Sequence, residues 1–429
     1  MERVFSAFWR YSMWNLPHKI GLQPENEVFS MSKIISQILI DNDKGLYLTN
    51  CDLTSDALEL GGNGNWSIRK NRLSGGLSDG VDQVIVNNGK MSFTILPTRG
   101  MGIYRGECGG NFLGWHSPVK NPVNPAFINL LEPDTCRGWL KGFNECIVRC
   151  GLYSNGANCI DKVPQPDGSY VEEVINMHGH IANIPAKYVE IQIIPGDPIE
   201  LVVIGIVEEA ACFCPQYRLT TRISTFVGSN KFSISDEVSN FGALPAEFQM
   251  LYHCNFGPPF LEEGAKLVAP SLEAAPRDAR AAEDMDTWDY YKTPEVGYAE
   301  QNSYHDFAAK TDGTTLALLK NKAGDKGVTL RWNKKQLPYF CQWKRTASIA
   351  EGYVTGIEPA TNFPNVKTFE RKQGRVINLK PGQTYRMDLS LEVQENQKQV
   401  QAIENEINKV LDGRKTLVHP QPIAKWSPL

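Results

Sequence analysis

Short runs rich in Val, Ile, Thr, Phe and Tyr, each closed by Gly, Pro, Asn or Asp, recur from one end of this chain to the other. That pattern specifies strands, and it leaves little room for helices. Met91–Pro97, Tyr188–Ile194, Leu201–Glu208, Tyr217–Phe226, Phe232–Val238, Glu247–Asn255, Gly327–Trp332, Pro338–Lys344, Tyr353–Glu358 and Thr384–Val393 are the expected strands. The last alternates cleanly, with Tyr385, Met387, Leu389, Leu391 and Val393 on one face and Arg386, Asp388, Ser390 and Glu392 on the other. Such a strand buries one side only. Leu201–Val207 has no polar face, which predicts a central strand covered on both sides. The expected fold is therefore all-β, a large antiparallel β-sandwich. One helix follows it, where Val400, Ile403, Ile407 and Val410/Leu411 repeat at helical spacing and Gly413 stands at the place of a left-handed cap.

Nothing in the middle of the 429 residues reads as a linker between domains. Residues 31–393 are expected to form one sandwich domain and 394–429 the helix and a tail. Met31 opens MSKIISQILI like a natural start, so residues 1–30 read as an N-terminal extension. The proline-rich segment Gly257–Phe307 is expected to be a long connection with little regular structure, of the kind that often carries function. A net charge of −4 without a dense Lys/Arg run gives no footprint for nucleic acid or an anionic membrane surface. No stretch reaches the roughly 20 apolar residues of a membrane helix, and no signal peptide develops near the start. The ten cysteines include no CxxC pair; reduced thiols and a cytoplasmic location are expected.

The chemistry rests on few side chains. In Glu247-Phe-Gln-Met-Leu-Tyr-His-Cys-Asn, period 2 puts Glu247, Gln249, His253 and Asn255 on one face and Phe248, Met250, Tyr252 and Cys254 on the other. His253 is the histidine most suited to proton transfer near neutral pH. His178-Gly179-His180 could hold a metal, a sugar hydroxyl or only its own core. Ile184 and Pro185 stand where a cupin-type metal site needs its glutamate, so hydroxyl binding is favoured over metal. Glu358 ends a strand between Ile357 and Pro359, and Gly356 on the same face leaves space beside it. Partial desolvation would make Glu358 a useful base; a salt bridge to Lys367, Arg371 or Lys372 is the alternative. Arg99 and Arg149 stand among apolar or small residues and must pair either with structural carboxylates or with ligand oxygens. His116 and His305 fall on expected loops in structural roles, and His18 and His419 in solvated terminal segments.

Several segments together resemble the galactose mutarotase-like, or aldose 1-epimerase, superfamily, and within it the aldose 1-epimerase-like proteins of the DUF4432 family. The resemblance runs from about residue 60 to 393 and rests on Leu96-Pro-Thr-Arg-Gly-Met-Gly, Gly114-Trp-His-Ser-Pro, Asn129-Leu-Leu-Glu-Pro, Gly142-Phe-Asn-Glu-Cys-Ile-Val-Arg-Cys-Gly-Leu, His178-Gly179, Val238-Ser-Asn-Phe-Gly with His253, and Gly356-Ile-Glu358-Pro. It implies a supersandwich fold, His253 as general acid, Glu358 as catalytic base, and His178-Gly179 against sugar hydroxyls. Two departures stand out: no Phe-Ala-Arg follows His178-Gly179, and no Tyr-Phe-Asn follows His253.

The expected activity is interconversion of the α and β anomers of a free aldose, with neither metal nor cofactor. Glu358 would take the proton of the anomeric hydroxyl while His253 gives one to the ring oxygen. His178, His180, Arg99, Arg149, Gln249 and Glu247 would orient hydroxyls. A carbohydrate-binding protein without turnover is the alternative. A glycosidase or lyase is the third reading, and it requires Glu247 to partner Glu358.

Overall fold

A computed structural model describes residues 34–60, 64–132, 137–164 and 167–428 of the chain. The expected 1–30 extension lies outside them. Among the described residues the strands form a ten-stranded sheet, a fourteen-stranded sheet and a two-stranded ribbon. The named strands pair antiparallel, except the short Leu417–Val418, which runs parallel to Ser271–Pro276. Ala279–Ala282, Lys367–Lys372 and Gln397–Leu411 are the α-helices among the described residues.

The two large sheets close on one hydrophobic core. Tyr385, Met387, Leu389, Leu391 and Val393 enter it from Thr384–Gln394, as their alternation requires. Phe248, Met250, Tyr252, Cys254 and Phe256 enter it from Ala246–Phe256 in the other sheet. Glu200–Glu209 is an interior strand paired on both sides. Only its Leu201, Val203 and Val207 join the core, however, while Ile204 and Ile206 on the outer side are half-buried. The expectation of cover on both faces is corrected there: the outer surface of this sheet is only partly sheltered. Gln397–Leu411 lays Val400, Ile403, Ile407 and Val410 on Leu316 and Leu318 of the ten-stranded sheet and on Ala308. Its cap Asp412 is left-handed at φ +53, and the expected Gly413 that follows is left-handed too, at φ +68.

The segment 257–307 is not a structureless connection. Lys266–Val268 adds an edge to the ten-stranded sheet, and Ser271–Pro276 pairs with Gln301–Phe307 inside the larger one. His305 therefore lies on a strand, fully buried, bonded to Ser271 and Ser303. The prolines that suggested a loop flank these strands or end them, and small residues such as Ala274 and Ala275 hide the strand pattern where another sheet element packs closely.

Arg149 joins the two sheets. It points from Ile147–Leu152 into the core and forms a two-pronged ion pair with Asp236 of the opposite sheet, at 2.6 and 2.9 Å. Its remaining N–H groups go to the carbonyls of Gly100 and Met101 and to the Thr221 hydroxyl. Tyr252 donates to the same aspartate at 2.7 Å. A buried pair so fully bonded tolerates loss of both charges far better than loss of one. Arg149→Met should lower the unfolding free energy by about 3–5 kcal/mol, and adding Asp236→Leu should restore much of it; urea midpoints measure both.

Candidate active site

The Ala246–Phe256 strand gives its even-numbered side chains to the core, so its odd-numbered ones meet a second, aromatic cluster on the sheet's other face. That cluster contains Trp115, Trp139, Phe143, Leu251 and Trp343. Antiparallel pairing of Cys254 with Ile357 sets His253 directly across from Glu358 on this face. Nε2 of His253 lies 3.2 Å from Oε1 of Glu358, at an angle that leaves Oε1 without a hydrogen-bond partner. Both residues are almost sealed, at 5 % and 2 % exposure. They stand side by side and touch. Gly356 makes this contact possible: a Cβ there would come within 2.2 Å of Glu358 Oε1 and 3.2 Å of His253 Cε1. The space expected for a ligand beside Glu358 is occupied by the pair itself.

Four rings enclose His253: Phe143 at 5.0 Å, Trp343 at 5.2 Å, His178 at 5.7 Å and Trp139 at 6.2 Å between centroids. Trp139, from the turn Gly138–Gly142, also packs edge-on to His178 at 4.6 Å. His178 adopts a left-handed backbone with φ +60. Its Nδ1 donates to the Asn155 carbonyl at 2.8 Å. Gly179 follows at φ +70, with the Gly151 carbonyl where a Cβ would be, so only glycine fits. Asn155 also links His178 to Gln249, whose Oε1 accepts from the Asn155 backbone at 3.4 Å while its Nε2 has no partner. Trp139 Nε1 is likewise buried and unpartnered.

Burial dominates the electrostatics. It pushes Glu358 from its ordinary 4.5 up to about 8, with Glu300 adding to the rise while a Cys341 hydrogen bond and Arg277 oppose it. Burial, then the neighbouring His178, pulls His253 well below the ordinary 6.5. His178 is lowered by burial too. At neutral pH the pair is uncharged: the carboxyl group keeps its proton and the imidazole is neutral. Among the described residues no group of three or more His, Cys, Asp or Glu is placed to hold a metal ion.

The other sequence candidates lie elsewhere. Arg99 pairs with buried Glu145 at 2.6 Å and also donates to Val123, Gly142 and Asn183. Arg149 spends all five N–H groups in the core. Both arginines are structural, which corrects the expectation that they orient hydroxyls. Glu247 binds Arg371 at 2.6 Å and Lys367 at 3.2 Å, so two of the three cations considered for Glu358 belong to Glu247. His180 turns away from its neighbour His178 to Glu209 at 3.2 Å, and its side chain is 44 % exposed. His116 stacks on Phe112, and His419 pairs with Glu273 at 2.7 Å. Sequence reasoning missed Trp139, Phe143 and Trp343. Trp343 could have been found, since it shares a pleat face with Cys341 on an expected strand. Arg277 and Glu300, joined at 3.3 Å with Trp343 Nε1 on Glu300 at 2.8 Å, come from the segment taken for a loop.

The profile of the family described as a domain of unknown function, DUF4432, matches residues 78–393. A crystal structure of a proposed aldose 1-epimerase from Klebsiella pneumoniae superposes with a TM-score of 0.85 at 35 % identity, over 91 % of this chain and 99 % of that one. A galactose mutarotase-like protein from Clostridium acetobutylicum gives 0.53 at 15 % identity, over 76 % and 98 %, and shares the fold. No curated protein matches the chain.

Because the Glu358 carboxyl holds its proton more tightly folded than unfolded, the stability it gives is complete below the ordinary glutamate range and is lost as pH rises through about 8. Glu358→Gln cannot titrate. Its stability relative to wild type should therefore grow between pH 5 and pH 9, by on the order of 4 kcal/mol, and an unchanged Tm difference across that range would contradict the burial reading.

Proposed function

The chain belongs to the DUF4432 family, and from that premise we propose that it binds a free aldose and interconverts its anomers through Glu358 and His253. The supporting observation is a set of buried polar atoms left unsatisfied at this acid–base pair and on the face of the strand that carries it: Glu358 Oε1, Trp139 Nε1 from the ring packed near His253, and Gln249 Nε2 four residues along the strand. Each such atom costs about 1–3 kcal/mol, and a protein keeps them where a ligand completes the bonding. Two N–H donors, a carboxyl oxygen and aromatic faces suit a polyhydroxylated ring. The nearby cations are neutralised: Arg99 by Glu145, Arg149 by Asp236 and Arg277 by Asp278 and Glu300. A neutral sugar fits this setting better than a phosphorylated one.

Ring opening moves two protons. Starting from the tautomer that carries the pair's mobile proton on His253 Nε2, Glu358 takes the one on the anomeric oxygen, His253 Nε2 gives one to the ring oxygen, the bond from C1 to the ring oxygen breaks and C1 becomes a carbonyl carbon. Rotation about C1–C2 and the reverse transfers give the other anomer. The opening step converts that charged tautomer back into the uncharged resting pair, and burial favours that direction because it disfavours charge. One proton shared by the pair is all the catalyst requires. The glycosidase reading pairs Glu247 with Glu358 and needs the two carboxyl groups within about 10 Å. Glu247 lies six residues along the strand from His253, roughly 20 Å at 3.3 Å per residue, and is held by Arg371. The nine described cysteines are unpaired thiols, which supports a reducing, cytoplasmic setting, and no described helix is long and apolar enough to cross a membrane.

Glu358→Gln and His253→Asn should each slow anomer exchange by about 10²–10⁴-fold, with sugar affinity little changed, as measured by NMR saturation exchange on a panel of aldoses. Wild-type rates in both variants would end the assignment, and resonance shifts without exchange in the wild-type protein would favour the binding-protein reading. The pH profile follows from the pair's proton count. Activity should fall above about 8, where Glu358 gives up the shared proton, and on the acid side only well below 6.5, where His253 gains a second one.

A further inference from the structure

Asn255 lies two residues beyond His253 on the same face of the strand, fully buried, with its backbone N–H on the Cys146 carbonyl at 2.6 Å. Its side-chain amide donates to the carbonyls of Glu145 at 3.0 Å and His253 at 3.1 Å. A carbonyl only accepts, so this end of the amide must be the NH2 group. Oδ1 then faces His253 Nδ1 at 2.7 Å. Oδ1 only accepts as well, so Nδ1 carries a hydrogen.

Building on the proposed function, we propose that Asn255 is a positioning residue that fixes the proton of His253 on Nδ1 and so confines proton exchange with Glu358 and substrate to Nε2. The fixing is rigid at both ends. The Glu145 carbonyl also accepts from Trp115 Nε1 at 3.3 Å, and the Glu145 carboxylate is clamped by Arg99. The sequence feature identified as Arg99 thus serves the site at a distance, by holding the residue that holds Asn255. An uncharged amide also explains why this residue is not an aspartate. A carboxylate at 255 would stabilise the imidazolium and hold its charge, whereas an amide orients the ring and leaves it free to become neutral when Nε2 gives up its proton.

The test uses the full-length protein labelled with ¹⁵N-histidine, with His253 assigned by difference from His253→Asn. Long-range ¹H–¹⁵N correlation at pH 7 should show Nδ1 protonated and Nε2 bare in the wild type. A protonated Nε2 with bare Nδ1 overturns the proposal. In Asn255→Ala the preference should be lost and kcat should fall at least about tenfold while KM changes little; an unaltered tautomer in that variant also overturns it. Asn255→Asp should raise the His253 pKa by at least about one unit and carry the acidic limb of the pH profile with it. The nitrogen spectrum needs no turnover, so a chain that proves to bind sugar without epimerising it would refute the function while leaving this assignment to stand or fall separately.

Discussion

The pairing of Cys254 with Ile357 decides what this molecule can do. Two strands separated by about a hundred residues in sequence meet in the one register that sets an imidazole against a carboxyl group. Slipping either strand by one residue would exchange every face, sending His253 into the apolar core and a core side chain to the site. The register is held from both sides. The histidine strand also pairs with Ile147–Leu152, and the glutamate strand with Tyr339–Arg345. Arg149 and Asp236 then tie this sheet to the one behind it.

The site works against folding in several places. An acid and a base are both buried in forms that burial makes uncharged, three polar atoms lack partners, and His178 holds a left-handed backbone without being glycine. Such features cost free energy and survive where surrounding structure over-determines them. Here the surroundings are an uninterrupted core between two large sheets, with the aromatic cluster sealing the outer face.

Much of this was legible from period and residue type. Alternation placed Gln249, His253 and Asn255 together opposite Phe248, Met250 and Tyr252, because a pleated strand leaves no other arrangement. A strand bearing Glu358 was equally readable, although it does not end there but runs on through Pro359 to Ala360. The partners of charged groups were not. Arg99, Arg149 and Glu247 found carboxylates or cations 46, 87 and 124 residues away in sequence, and no local pattern encodes a contact of that range. Ser271–Pro276 and Gln301–Phe307 were hidden by small residues and flanking prolines, and with them Arg277 and Glu300. Trp139 was hidden in a turn, where a large ring has no periodicity to betray which way it points.

The enclosure of His253 by Trp139, Phe143 and Trp343 bears on the fate of whatever is opened there. A linear sugar is an aldehyde, prone to hydration by bulk solvent and to condensation with amines. In the reaction proposed for this chain it exists only while a single bond turns. Indole and phenyl groups packed around a nearly sealed pair would keep that short-lived species away from water until the ring has closed again, so in that reaction one event must come before any chemistry: the walls have to part to let the sugar in.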